Sequence, residues 1–285
     1  MSRLDLIPFR QLLDRPVAPA RRIFARAVWP VAAPIAAVGV AFVLAQSSLM
    51  QVFLGDLTWN QMLFGMAGYV GALFGLGLVV YLGYAAMASA ALDVLHGRDL
   101  SMRRAWAFAL RPSVVGTLIV LGLVTMLSLL FCIVPFFVVV PLLSLVLPVM
   151  VVEGSTGLTA LRRSADLVRW NPTGRWRDSG FLQASAMLVT GWAIQYGLAL
   201  LVQGPFVVAQ QVWIARRAVG GQAVDPLTLA QGSLWINLPA QVLGSVATAT
   251  AWLYWSFAFG MLYLEIRRRR EAQDLESAIG RLVAG

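Results

Sequence analysis

The sequence predicts an all-α integral membrane protein, a six-transmembrane helical bundle with amphipathic interfacial helices on its cytoplasmic side. Three observations predict it. Only 12% of the 285 residues are charged while 59% are hydrophobic, against about 25% charge in a soluble globular domain. Apolar stretches long enough to cross a bilayer, which takes about 20 residues, recur at 27–46, 62–90, 114–134, 135–152, 180–209 and 235–263. The arginines between those stretches also alternate in density, as the retention of positive charge in cytoplasmic loops requires.

Each element follows in order. Residues 1–26 form a basic N-terminal arm with Arg3, Arg10, Arg15, Arg21, Arg22 and Arg26. It is too long and too polar for a secretory leader, so the first apolar segment is expected to be retained. The second span, 62–90, contains Ala67, Gly71 and Gly75 at four-residue spacing. This pattern lets helix backbones approach closely and predicts packing against another helix of the same chain. Residues 114–152 carry no charge and are too long for one crossing, so a hairpin turning at Pro135 in "FCIVPFF" is predicted. The fifth and sixth spans carry amides and hydroxyls, among them Gln203, Gln241, Ser245 and Thr250, which suit hydrogen bonding within a bundle or the lining of a solute path.

With six crossings, 20 of the 22 arginines fall on one side, and only Arg216 and Arg217 fall on the other. Both termini are therefore expected in the cytoplasm, where the run Arg267–Arg270 acts as the stop signal of the last span. The tail, 264–285, places Arg267 with Glu271 and Arg270 with Asp274 four residues apart, which predicts a helix that continues out of the membrane.

A weak repeat precedes the outward crossings: "ARRIFARAVWP", "LSMRRAWAFALRP" and "LTALRRSADLVRWNP", each basic, amphipathic and closed by proline. In the third, Leu158, Leu161, Ala165 and Val168 recur at helical spacing, as in a helix lying in the headgroup plane. The net charge of +9, gathered in short clusters beside apolar runs, points to anionic lipid headgroups at the cytoplasmic face rather than to nucleic acid. Membrane-protein partners or a homo-oligomer are compatible with the same surface.

Catalysis finds little material. The chain holds one histidine, His96, and one cysteine, Cys132. No spacing of acids and histidines suits a metal, and no glycine string is followed by a lysine as a phosphate loop requires. No enzyme, metal or cofactor is therefore expected.

Residues 153–168, "EGSTGLTALRRSADLV", together with "FRQLLDRPVAPARRIF", "ALDVLHGRDLSMRRAWAFAL" and "LYLEIRRRREAQDLESAI", resemble the signature, entry, middle loop and ending of the family of glycerophosphoryl diester phosphodiesterase membrane domains. These are multi-spanning domains of bacteria and archaea. The resemblance covers nearly the whole chain and marks Glu153, Gly154, Arg163, Ser164, Tyr263, Glu265, Arg267, Glu271 and Asp274. The family takes its name from members fused to a soluble phosphodiesterase, for which the six segments leave no room, so the catalytic name does not carry over. The sequence as a whole is read as a non-enzymatic structural or accessory module that organises lipid or partner proteins in a bacterial inner membrane, with a transporter or channel for a lipid-like or small amphiphilic solute as the alternative. The acids near the tail arginines either pair locally with them or, with Glu153, Arg163, Glu265 and Arg267, form a cytoplasmic-face ion network joining the end of the fourth span to the end of the sixth.

Overall fold

The computed structural model describes residues 14–54, 59–131, 133–171, 179–220 and 234–284; side chains at 47–54, 59–61, 129, 131, 133–134, 218, 273–274 and 276–284 lie outside that description. The described residues are all-helical: α1 (Val17–Leu54), α2 (Trp59–Leu95), α3 (Met102–Ala109), α4 (Pro112–Phe131), α5 (Ile133–Leu143), α6 (Val146–Glu153), α7 (Gly157–Arg169), α8 (Gly180–Val219) and α9 (Leu234–Ala284). Five spans are long and apolar enough to cross a membrane, or six when α3 and α4, bent by 65° at Arg111, count as one. This is the helix complement of a multi-pass membrane protein.

The basic arm and the first predicted span merge, because α1 already begins at Val17 and runs unbroken through Pro30 and Pro34. Helix α8 likewise continues through Pro205. The last helix has no boundary between span and tail, since α9 is continuous from Leu234 to Ala284.

The predicted hairpin is present, but its details differ. Thr117, near the start of α4, and Leu142, near the end of α5, both bond to α7, so the chain reverses between them. Pro135 is in the first turn of α5, where a missing N–H leaves no helical hydrogen bond unmade, so it is not itself the turn; Cys132 lies outside the described residues.

The predicted span 135–152 is one of the five crossing segments, as Pro135–Glu153, but its helix is interrupted. It breaks at Ser144 and Leu145 into α5 and α6. Pro148 explains the break: it offers no N–H to the carbonyl of Ser144, and its ring crowds that carbonyl. Ser144 turns back locally, its N–H and hydroxyl both donating to the carbonyl of Pro141.

The chain divides into two compact units. The first comprises Met1–Phe24, Ala85–Trp192 and Leu253–Gly285, and the second Ala25–Tyr84 and Ala193–Trp252. In the first, the core includes Met87, Leu92, Leu145, Met150, Leu167, Phe257, Phe259 and Tyr263. Alanines drive its close packing: Ala85, Ala86, Ala90 and Ala91 of α2 are fully buried, and Gly260 of α9 lies against Leu92 and Leu95. In the second, the core is thinner, built on Ala27, Val28, Val31 and Ile35 of α1 with Ile236, Ala249 and Ala251 of α9. Gly83 of α2 meets Val31, Ile35 and Trp252 there.

Candidate functional site

Among the described residues, polar side chains of α6, α7 and α9 meet around Glu153 in the first unit. Helix α6 ends at Gly154, which adopts a left-handed conformation at φ 67°. Glycine takes that conformation without the steric cost of a Cβ. The chain then reverses within three residues and α7 begins at Gly157. Its first free N–H donates to the hydroxyl of Thr117 at 2.7 Å, tying α7 to α4.

This reversal returns Arg163 to Glu153. The Nε of Arg163 donates to both carboxylate oxygens, at 3.2 Å to Oε1 and 3.0 Å to Oε2. From the other side, the hydroxyl of Tyr263, a residue with no exposed surface, donates to Glu153 Oε1 at 2.9 Å across 110 residues of sequence. Arg267, one turn further along α9, donates from Nη1 to the Tyr263 oxygen at 3.4 Å and from Nε to Glu271 at 2.7 Å. Glu153 keeps only 18% of its side-chain surface exposed, so its partners in the protein replace most of its hydration.

Ser164, about 100° around the helix from Arg163, is fully buried. Its hydroxyl donates to the backbone carbonyl of Leu142 at 2.7 Å. That carbonyl sits in the last turn of α5, where the break removes its helical partner. One serine thus satisfies a carbonyl that would otherwise be orphaned inside an apolar span.

The predicted ion network therefore forms with a different membership. Glu153, Arg163 and Arg267 take part, but the bridge to α9 is Tyr263, and Glu265 is elsewhere. Residues 263 and 267 share one face of the helix, whereas residue 265 lies about 200° around from 263. Glu265 pairs instead with Arg269, Nε to Oε1 at 2.8 Å, in a second, largely buried ion pair on the same helix. Glu271 joins through Arg267, and Asp274 falls outside the described side chains.

The small-residue face is corrected. Ala67 and Gly71 are exposed and Gly75 is half-buried, and a Cβ at Gly71 or Gly75 would meet nothing within 4 Å. Among the described residues, nothing packs against Gly71 or Gly75. The close helix contacts are made by glycines that receive long side chains: Gln241 rests on Gly39, Gln203 on Gly244 and Trp255 on Gly191. The available sequence signals were the alanine run 85–91 and the glutamines of the last two spans, whose volume needs a facing glycine.

Helix α7 also departs from a helix lying free in the headgroup plane. It buries Ala160, Leu161, Ser164, Leu167 and Val168 against α4, α5 and α6, while Leu158 of the predicted stripe is 62% exposed. His96 closes α2, its Nδ1 lying 2.7 Å from the carbonyl of Leu92. Among the described residues, no group of three or more histidines, cysteines or acids could hold a metal ion.

No family model, curated protein or solved structure matches the chain.

Proposed function

We propose that this chain is a non-enzymatic, multi-pass module of a bacterial inner membrane, with both termini cytoplasmic, that organises lipid or partner proteins at that face. The Glu153 junction is the observation that carries this reading. Two stretches marked by the resemblance, 153–168 and 262–279, meet in it, and their polar side chains are engaged with one another. Glu153 is held by Arg163 and Tyr263, Glu265 by Arg269 and Glu271 by Arg267. A carboxylate bound by two donors is an anchor: it fixes helices rather than offering a proton to a substrate. Membership of the glycerophosphoryl diester phosphodiesterase membrane domain family belongs to the same proposal and accounts for why these residue types stand at these places. The arginine asymmetry of the sequence supports the orientation.

Transport of a lipid-like solute is the second reading, favoured by Gln203 and Gln241, which lie within the long apolar helices α8 and α9 of the second unit. Their side chains rest on glycines, a packing role that supports the first reading more than the second. The test is purification of the tagged chain in native nanodiscs, with co-purifying proteins and lipids read together by mass spectrometry. A stoichiometric protein or a selectively enriched lipid is the expected result. Solute flux in liposomes with neither would overturn it.

A further inference from the structure

Helix α3 and the first turn of α4 form an elbow with an unusual surface. Ala105 and Ala109 bury one side of α3, while Arg103, Arg104 and Ala107 of α3 are exposed at the spacing of one helical face, and Leu110 and Arg111, at the bend itself, are exposed as well. The elbow is well ordered. Ser101 caps α3 by accepting from the N–H of Arg104, Arg104 Nη2 donates to the carbonyl of Asp99 at 3.0 Å, and the N–H groups of Val114 and Val115 both donate to the carbonyl of Arg111. The Arg111 guanidinium lies 5.7 Å from the centre of the Phe108 ring, an aromatic contact that orients the fork and leaves its N–H edge free to donate.

Among the described residues, no acid forms an ion pair with Arg103, Arg104 or Arg111; Asp93, the acid paired in this region, is engaged with Arg98. Three permanent positive charges thus share this elbow with no ion-pair partner among the described residues. The neighbouring surface is of the opposite character. Helix α4 has no charged residue and exposes Ile119, Leu123, Met126, Leu127 and Leu130. A helix bent 65° from such a span lies closer to the bilayer plane than to its normal.

We propose that this elbow is a docking surface for anionic phospholipid headgroups, with Arg103, Arg104 and Arg111 on the phosphodiester, Leu110 at the acyl boundary and the acyl chains along α4. The inference rests on the lipid-organising reading above and names its ligand. Charge complementarity selects the occupant. An anionic headgroup supplies the missing counter-charge, and its attached chains supply the apolar contact that α4 needs, whereas a protein partner would need a large exposed anchor that α3 lacks beyond Leu110. An arginine near an anionic surface contributes about fivefold in affinity, so three together give on the order of a hundredfold.

The experiment uses the full chain in phosphatidylcholine nanodiscs, titrated with phosphatidylglycerol and read by native mass spectrometry. The wild type is compared with the Arg103→Gln, Arg104→Gln, Arg111→Gln triple variant, with Arg216→Gln, Arg217→Gln as a control away from the elbow. The wild type is expected to retain phosphatidylglycerol over phosphatidylcholine, the control to match it, and the elbow variant to lose about a hundredfold with an unchanged thermal midpoint. Replacing the same three residues with lysine should retain most of the preference. If the elbow variant binds phosphatidylglycerol as tightly as the wild type, the elbow is not the site, although the lipid-organising reading stands. If the wild type shows no preference, the docking proposal fails, and solute flux without it would remove the broader reading as well. Loss of a co-purifying acidic protein from the elbow variant, without any lipid preference in the wild type, would assign the surface to a protein and overturn the proposal.

Discussion

Helices α3 and α7 share a sequence pattern, paired arginines in an amphipathic stretch with a proline at or just after its end, yet they differ in what their arginines meet. Helix α7 turns Arg163 inward to Glu153 and Ser164 onto the carbonyl of Leu142, and buries five of its residues. Helix α3 buries two alanines and leaves Arg103 and Arg104 outside. The difference lies in the neighbours rather than in amphipathicity. Helix α7 sits beside a broken span that presents a carboxylate and a released carbonyl, whereas α3 precedes a helix that carries no charged residue.

The largest expected effect breaks the α7 side of the comparison. Glu153→Ala removes the acceptor of Arg163 and Tyr263 together, leaving the buried Tyr263 O–H without an acceptor and a half-buried guanidinium unpaired, and should lower stability by about 3 kcal/mol. A fall in the thermal midpoint of the detergent-extracted protein measures it; an unchanged midpoint would show that water replaces the carboxylate. Ser164→Ala is next, at about 2 kcal/mol, since it orphans the Leu142 carbonyl in an apolar setting. Hydrogen exchange at the α5–α6 break should rise in that variant and stay constant in the others.

A smaller effect sharpens a parallel contrast between glycines. Gly191→Ala drives a methyl into the Trp255 indole and should cost about 1–2 kcal/mol. Gly71→Ala meets open space and should be neutral or stabilising by about 0.5 kcal/mol, because alanine is the better helix former. Opposite signs in the two thermal midpoints are the expected result, and a loss at Gly71 would reveal a partner seated on that face.

Much of this fold was legible from apolar length alone. The spans, the hairpin within 114–152 and the helical continuation of the tail all follow from runs of uncharged residues and from where arginines interrupt them. The break at Ser144 was less legible, because prolines at 30, 34, 141, 205 and 239 are carried inside helices. What accompanies the break after Leu143 is the Ser164 hydroxyl on the Leu142 carbonyl, a tertiary partner that no local pattern encodes. The Glu153–Arg163 pair could be anticipated from opposite charges on either side of a glycine reversal. Tyr263 was harder to assign, since a tyrosine at the end of an apolar helix reads equally well as an interfacial ring. The exposed Gly71 and Gly75 show the limit of spacing arguments: small residues permit a close approach, but the larger side chains opposite, Gln203, Gln241 and Trp255 here, decide where it occurs.

The most direct measurement compares Arg163→Ala with Arg103→Ala for thermal stability in one detergent, at equal protein concentration. Removing Arg163 should lower the midpoint by several degrees, corresponding to about 2 kcal/mol, while removing Arg103 should leave it unchanged. Equal losses, or a stable Arg163→Ala protein, would contradict the assignment of α7 as an internal strut and α3 as an outward-facing surface.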